Sequence, residues 1–292
     1  MRGLVINRFA LTGIDVGRDT LEPPIAGVRI AGNFLGTDPT GTAARSNNRG
    51  VTVYKGGRTT IGGIDRADRN LISGNAEQGV MVNYSVAAGN VVQGNLIGTQ
   101  RDGRSPRGNG LAGVLVMDAA NVVVGGNAAG AANTIAYTRS GPGVAVIGGQ
   151  NRIGNQILRN AVFANADLGI DLIGEGGTDP NDPADADTGA NGLQNTPVLG
   201  KATTTTAGTR VGGRSESRPD RTFLLQFFAN PAGEDEGRLY VGERTVTTDG
   251  NGAARFAITL QPAIPAGRTI TATATGADGT SEFSASVVVE AG

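Results

Sequence analysis

Residues 70–100 read NLISGNAEQGVMVNYSVAAGNVVQGNLIGTQ, and two short phrases inside them decide the fold. One is glycine, apolar, any residue, apolar, here Gly79-Val80-Met81-Val82. The other is Asn-x-Ile/Val-x-Gly-Asn, at 70–75 and again at 90–95. Both alternate with period 2 over a few residues and are bounded by Gly or Asn, which spells short strands joined by tight turns. Helix caps and a 3.6-residue period are nearly absent.

The glycine phrase also starts at Gly13, Gly27, Gly50, Gly113, Gly143 and Gly169. The asparagine phrase returns as NVVVGGN at 121–127 and NRIGN at 151–155. A longer period lies above them. GNFLGTD at 32–38 reappears as GNLIGTQ at 94–100, a shift of 62, and TIGG at 60–63 reappears as VVGG at 123–126, a shift of 63. Such recurrence fits a coil whose turns stack, each strand pairing in parallel with its counterpart ~4.8 Å away. An antiparallel barrel of hairpins predicts no register at that distance. With about 21–24 residues per turn, residues 3–175 predict about seven or eight turns, roughly 35–40 Å of solenoid. Val, Ile and Leu fill the column. Gly supplies positive φ at corners, and Asn tolerates αL and stacks its amide on the next turn.

Composition removes many chemistries. Glycine is 48 of 292 residues without a Gly-X-Y period, so collagen is excluded. Charged residues are 17% and the net charge is −1, which argues against both a disordered acidic chain and a basic nucleic-acid binder. Cysteine and histidine are both absent. That excludes disulfides, thiolate nucleophiles, Ser-His-Asp catalysis and histidine metal ligands. No run approaches the ~18 apolar residues of a membrane helix, so no membrane insertion is expected. The opening MRGLVINRFALTGIDV is broken by Asn7 and Arg8 and is no signal peptide. It begins inside repeat text, so the first turn is expected to leave a strand edge bare.

GNFLGTDPTGTA, NLISGN, GNVVQGNLIGT and the later LGIDL…DADTGANGLQNTPVL resemble the repeats and closing segment of large bacterial right-handed parallel β-helix proteins of the pectate-lyase-like superfamily. The resemblance covers most of residues 1–200. It implies an all-β chain, with a right-handed three-sheet parallel β-helix over 1–199, an extracellular or cell-surface location, and a β-sandwich behind the helix. It implies no single activity, because that fold carries lyases, hydrolases, esterases, epimerases, adhesins and inert stalks.

After Pro197 the text changes. Five of the eight phenylalanines fall in 200–292, namely Phe223, Phe227, Phe228, Phe256 and Phe283. Longer alternating segments such as RTFLLQFFAN at 221–230 and RTITATAT at 268–275 are separated by turn text, notably DGNG at 249–252. Residues 200–292 therefore read as a small antiparallel, immunoglobulin-like β-sandwich.

Three features carry candidate chemistry. The loop TDPNDPADADTGANG at 178–192 places Asp179, Asp182, Asp185 and Asp187 within nine residues and contains no Lys or Arg, with Asn181 and Asn191 as neutral oxygen donors. The metal candidates are Asp179, Asp182, Asp185, Asp187 and Asn191, and the ion would be structural calcium, a hard oxygen-seeking cation. A solvated acidic loop is the plainer alternative. The second feature is arginine text at 65–69 and 101–107, where Arg66, Arg69, Arg104 and Arg107 are candidates for contact with an acidic glycan, with self-paired mobile loops as the alternative. The third is the set of corner asparagines Asn33, Asn75, Asn95, Asn127 and Asn155, which read as buried amide ladders rather than sugar contacts.

If Val and Ile of the glycine phrases point inward, the outward residues are Asp15, Arg29, Thr52, Met81, Leu115, Ala145 and Asp171. No carboxylate pair or carboxylate–arginine–lysine set forms along them, as a lyase or glycosidase needs. The expectation is an extracellular structural, adhesive or glycan-contacting module without catalysis, with a lyase or hydrolase of acidic polysaccharide as the alternative. A polysaccharide or surface glycan is the expected partner. Tyr54, Met81, Leu115, Met117, Ile147 and Ile173 form an outward apolar strip, and the C-terminal unit is expected to fold back over it.

Overall fold

The computed structural model describes residues 1–17, 25–84, 89–150, 152–172 and 177–292. The strands of the first turn are β1 (Val5–Ile6), β2 (Thr12–Val16) and β3 (Arg29–Ile30). The second has β4 (Phe34–Leu35), β5 (Arg49–Tyr54) and β6 (Thr60–Gly62), and the third β7 (Leu71–Ile72), β8 (Gln78–Asn83) and β9 (Val91–Gln93). The fourth has β10 (Leu96–Ile97), β11 (Ala112–Met117) and β12 (Val123–Gly125), and the fifth β13 (Thr134–Ala136), β14 (Val144–Ile147) and β15 (Gln156–Leu158). A sixth begins with β16 (Ala161–Phe163) and β17 (Ile170–Asp171). Corresponding strands stack into three parallel sheets, a parallel β-helix as expected.

The turns are fewer and longer than expected. Ile6 stands beside Leu35, Leu35 beside Ile72, Ile72 beside Ile97, Ile97 beside Ile135 and Ile135 beside Val162, so successive turns take 29, 37, 25, 38 and 27 residues. The 62-residue repeat is therefore two turns, one long and one short. Each long turn carries a hairpin loop, pinned by pairing of Thr37 with Ala44 or Thr99 with Pro106.

Leu35, Ile72, Ile97 and Ile135 of the first sheet face Val51, Val80, Val114 and Val144 of the second, all fully buried in one core column. The corners are stitched by side-chain amides. Asn33, Asn70, Asn95 and Asn133 each donate Nδ2 to the next Oδ1 at 2.9–3.1 Å, the ladder ending on Asn160, and Asn47, Asn75 and Asn109 form a second ladder. Each amide also takes backbone bonds, which satisfies polar groups that burial would otherwise strand. Asn127, expected in this set, is exposed, and Asn133 takes the rung.

The second sheet holds Asp15, Thr52, Met81, Leu115, Ala145 and Asp171 in one register row, as the phrases predict. Arg29 is the exception, because Gly27-Val28-Arg29-Ile30 builds β3 of the third sheet. Met81 and Leu115 are 7% and 8% exposed and pack with Ala112 and Ala145, with Met117 and Ile147 alongside. The strip closes largely on itself. Ile173 lies outside the described residues.

The C-terminal unit is elsewhere. Its strands β18 (Val198–Thr205), β19 (Gly208–Glu216), β20 (Thr222–Asn230), β21 (Leu239–Thr247), β22 (Ala253–Leu260), β23 (Thr269–Thr275) and β24 (Val287–Ala291) form one mixed sheet, ordered β21-β20-β23-β24-β18-β19-β22. The sheet folds over itself around a second core, with the rings of Phe227 and Phe256 in edge contact across it. It is not wholly antiparallel, since β18 and β24 run side by side in parallel. Both start from the coil: β18 follows the closing loop, and β24 follows residues 279–284, which pack on the last turn.

Those contacts seal the coil's end rather than its flank. Val162 and Gly237 exchange both backbone hydrogen bonds, and Phe228 and Phe283 complete the coil's core column. Side chains supply the missing next rungs. Gln226 Oε1 accepts from the Arg159 amide, and Glu236 accepts from both the Asn165 amide and its Nδ2. Asn191 Oδ1 accepts from the Asn155 amide, and Glu282 Oε1 from the Leu172 amide. At the opposite end Leu4, Val5 and Phe9 are exposed.

Candidate functional site

The closing loop is folded tightly against the seal. Ala184 and Asp185 take φ of 60° and 55°, a left-handed pair that turns the loop back on itself. The turn brings Asp182, Asp185 and Asp187 together, with one carboxylate oxygen from each lying within 4.8 Å of the others.

Asp185 is 3% exposed and well held, its Oδ1 accepting from the Asn195 amide at 2.7 Å and its Oδ2 from Ser217 Oγ at 2.9 Å. Asp182 accepts from the Ala186 amide through Oδ2. Its Oδ1 is buried without a hydrogen-bond partner, and so is Asp187 Oδ1. Buried oxygens left unpaired cost free energy, and here two of them sit in one carboxylate cluster. Burial pushes the Asp187 carboxyl up to about 6, reinforced by the charges of Asp182, Asp179 and Asp185. Burial also raises Asp185 and Asp179. Arg218 is the nearby cation, and its Nη1 is 2.7 Å from Asp278.

Two of the five metal candidates stand apart. Asn191 is fully buried and its amide is spent on Asn155 and Thr280. Asp179 instead faces a cavity of about 480 Å³ between coil and sheet, beside Asn181, Asp235, Glu282 and Ser284. Asp182, Asp185 and Asp187 are the donors that can share a small cation; all are hard oxygens.

Glu236 and Glu282 were not singled out by sequence reading. Burial pushes both carboxyls up to about 7, against the pull of the N–H groups they accept from. In sequence Glu236 is one of an acidic trio and Glu282 sits among small polar residues. Their coil partners lie 71 and 110 residues away, so no local pattern marks them.

The arginine candidates divide. Arg66 and Arg69 line a recess with Arg101 on the outer face of the first sheet. Arg104 is exposed and offers its carbonyl to Tyr137, and Arg107 is partly buried and takes the Gly74 amide on its carbonyl. Among the described residues no helix is long and apolar enough to cross a membrane. No family model matches the chain, and no curated protein is significantly similar to it.

Proposed function

We propose that this chain is an extracellular, non-catalytic β-helix module of the pectate-lyase-like kind, right-handed, sealed by an immunoglobulin-like sandwich, with structural calcium in the closing loop and a flank that contacts glycan. The carrying observation is how the junction carboxylates are used. Glu236 and Glu282 give their oxygens to N–H groups of the last turn and, at Asp179, of the closing loop. The orphaned oxygens belong to Asp182 and Asp187, which converge with Asp185 on a common point. That arrangement serves an ion better than a proton relay, which needs a carboxyl free to meet substrate. In the in-register row the carboxylates Asp15 and Asp171 stand at opposite ends, with Thr52, Met81, Leu115 and Ala145 between them, so no carboxylate pair forms along it either. The parallel pairing of the first and last strands of the terminal unit supports the sandwich reading.

Calcium depletion is the test. A chelator should lower the melting temperature, and calcium at 100 times its Kd should restore about 2.7 kcal/mol. Asp187→Asn, which breaks no side-chain hydrogen bond among the described residues, should abolish the calcium response. Identical melts of metal-free and calcium-loaded protein would remove the ion from this reading. New reducing ends or unsaturated uronates from acidic polysaccharides would overturn the non-catalytic part.

A further inference from the structure

We propose that the recess bounded by Arg66, Arg69 and Arg101 binds a tetrahedral oxyanion ester, sulfate or phosphate, carried on a sugar ring. The inference rests on the glycan-contacting reading and names the chemistry of that contact. Its floor comes from the register of the first sheet. Leu35, Ile72 and Ile97 point into the core, so their neighbours Phe34, Leu71 and Leu96 align in an outward row. The three line the recess, which has a volume of about 270 Å³. That is just below the ~300–1,000 Å³ of sites that enclose a drug-sized ligand, and it suits one ring.

The walls are cationic and held in place. Arg66 opens a short 3-10 turn, Arg66–Asp68, that is clamped from outside the recess. Arg2 donates to the Ala67 carbonyl, and Asp68, itself buried, takes Arg2 at 3.0 Å and Arg29 at 2.5 Å. Arg69 donates Nε to the Gly94 carbonyl at 3.0 Å, which fixes its stem. The guanidinium of Arg101 stands 5.9 Å from the centre of the Phe34 ring.

What is missing is neutralisation. Asp68 is taken by Arg2 and Arg29, and Asp102 is taken by the amides of Arg104 and Ser105 and by Ser105 Oγ. Among the described residues none of Arg66, Arg69 and Arg101 pairs with a carboxylate. Burial, and after it the neighbouring Arg66 charge, lower the affinity of Arg69 for its proton. A carboxylate offers two oxygens and one charge, enough for one guanidinium fork. A sulfate or phosphate ester presents three oxygens to three guanidiniums, and its ring can lie against Phe34, the partly exposed residue of a floor in which Leu71 and Leu96 are buried.

The test uses the full chain and four probes: glucose 6-sulfate, glucose 6-phosphate, galacturonate and unmodified glucose. Titration calorimetry and chemical-shift mapping at low salt read the binding. The 6-sulfate, the 6-phosphate or both should bind at least tenfold tighter than galacturonate, with shifts at Phe34, Leu71 and Leu96. Comparison of the two esters tells which oxyanion is preferred. Arg66→Gln with Arg101→Gln, both on exposed side chains, should cut that binding at least tenfold, while Arg104→Gln should leave it unchanged. Equal binding of galacturonate, or binding indifferent to Arg66 and Arg101, overturns the oxyanion site and leaves the glycan reading standing. No binding of the four probes overturns the site, and silence across a wider panel of neutral and acidic polysaccharides removes the glycan reading as well.

Discussion

At Gly113 an added Cβ would stand 2.5 Å from Ile135 Cγ2 and 2.6 Å from the carbonyl oxygen of Gly143. The same crowding recurs at Gly50, Gly79 and Gly143, and at Gly169 the ring of Phe283 replaces the next turn. None of these glycines has a positive φ. Their place in the phrase comes from close stacking, whereas corner glycines such as Gly36, Gly74, Gly94 and Gly98 do take the positive φ expected of corners. Gly27 is the contrast, with φ of +75° and open space around it. Gly113→Ala should destabilise by about 2–3 kcal/mol through overpacking, and Gly27→Ala by about 1 kcal/mol through backbone strain. Urea melts of the two variants check the order, and equal losses would contradict the stacking account. Glu236 gives a pH prediction. The folded protein keeps a proton on it up to about pH 7, whereas the unfolded chain releases it near 4.5. The native state thus binds more protons between those values, and stability should fall as pH rises from 4.5 through 7. The full effect is at most about 3 kcal/mol. Glu236→Gln should reduce that slope in a series of thermal melts, leaving the share contributed by Glu282, which burial raises in the same way.

Among the elements, the glycine-phrase strands of the second sheet were legible because inward and outward residues alternate strictly. The third sheet was not, since its strands are two or three residues long and its Gly27 phrase imitates the second sheet. The ladder was legible as a type of contact but not residue by residue: Asn127 and Asn133 are equally plausible in text, and burial separates them. One rung departs from the pattern. Thr138 takes the place between Asn109 and Asn165, its amide donating to Asn165 Oδ1 as a ladder residue's would, while its own Oγ1 is buried without a partner among the described residues. Thr138→Asn should restore the missing amide and stabilise the protein by about 1 kcal/mol, read by chemical denaturation. A loss of stability instead would mean the column is too narrow there for the longer side chain. The acidic loop was legible as a cluster from its composition, and its three-residue core was not. Only the left-handed turn at Ala184 and Asp185 decides which carboxylates meet.

For the molecule as a whole, the architecture of a coil followed by a separate β unit could be read from the change of text after Pro197. The docking could not. Gln226, Glu236 and Glu282 reach coil backbone 67, 71 and 110 residues away, distances at which no period connects them. The expectation that the sheet lies along the flank failed because Met81 and Leu115 cover one another, whereas the last turn has open rungs to fill. Phe283→Ala should remove about 3–5 kcal/mol from that junction. Hydrogen exchange should then rise in Ala161–Phe163 and Ile170–Asp171 but hardly in Gln78–Asn83. A rise spread evenly through the coil would mean that the molecule opens as one unit. Among the described residues the seal touches only the final rung, and the hairpin-bearing long turns alternate with short ones. Duplication of one 62-residue pair would therefore lengthen the rod by about 9.6 Å while leaving its lid unaltered, whereas adding a single long turn would set hairpin over hairpin. Such a chain is a ruler graduated in pairs, free to evolve in length without relearning how to end.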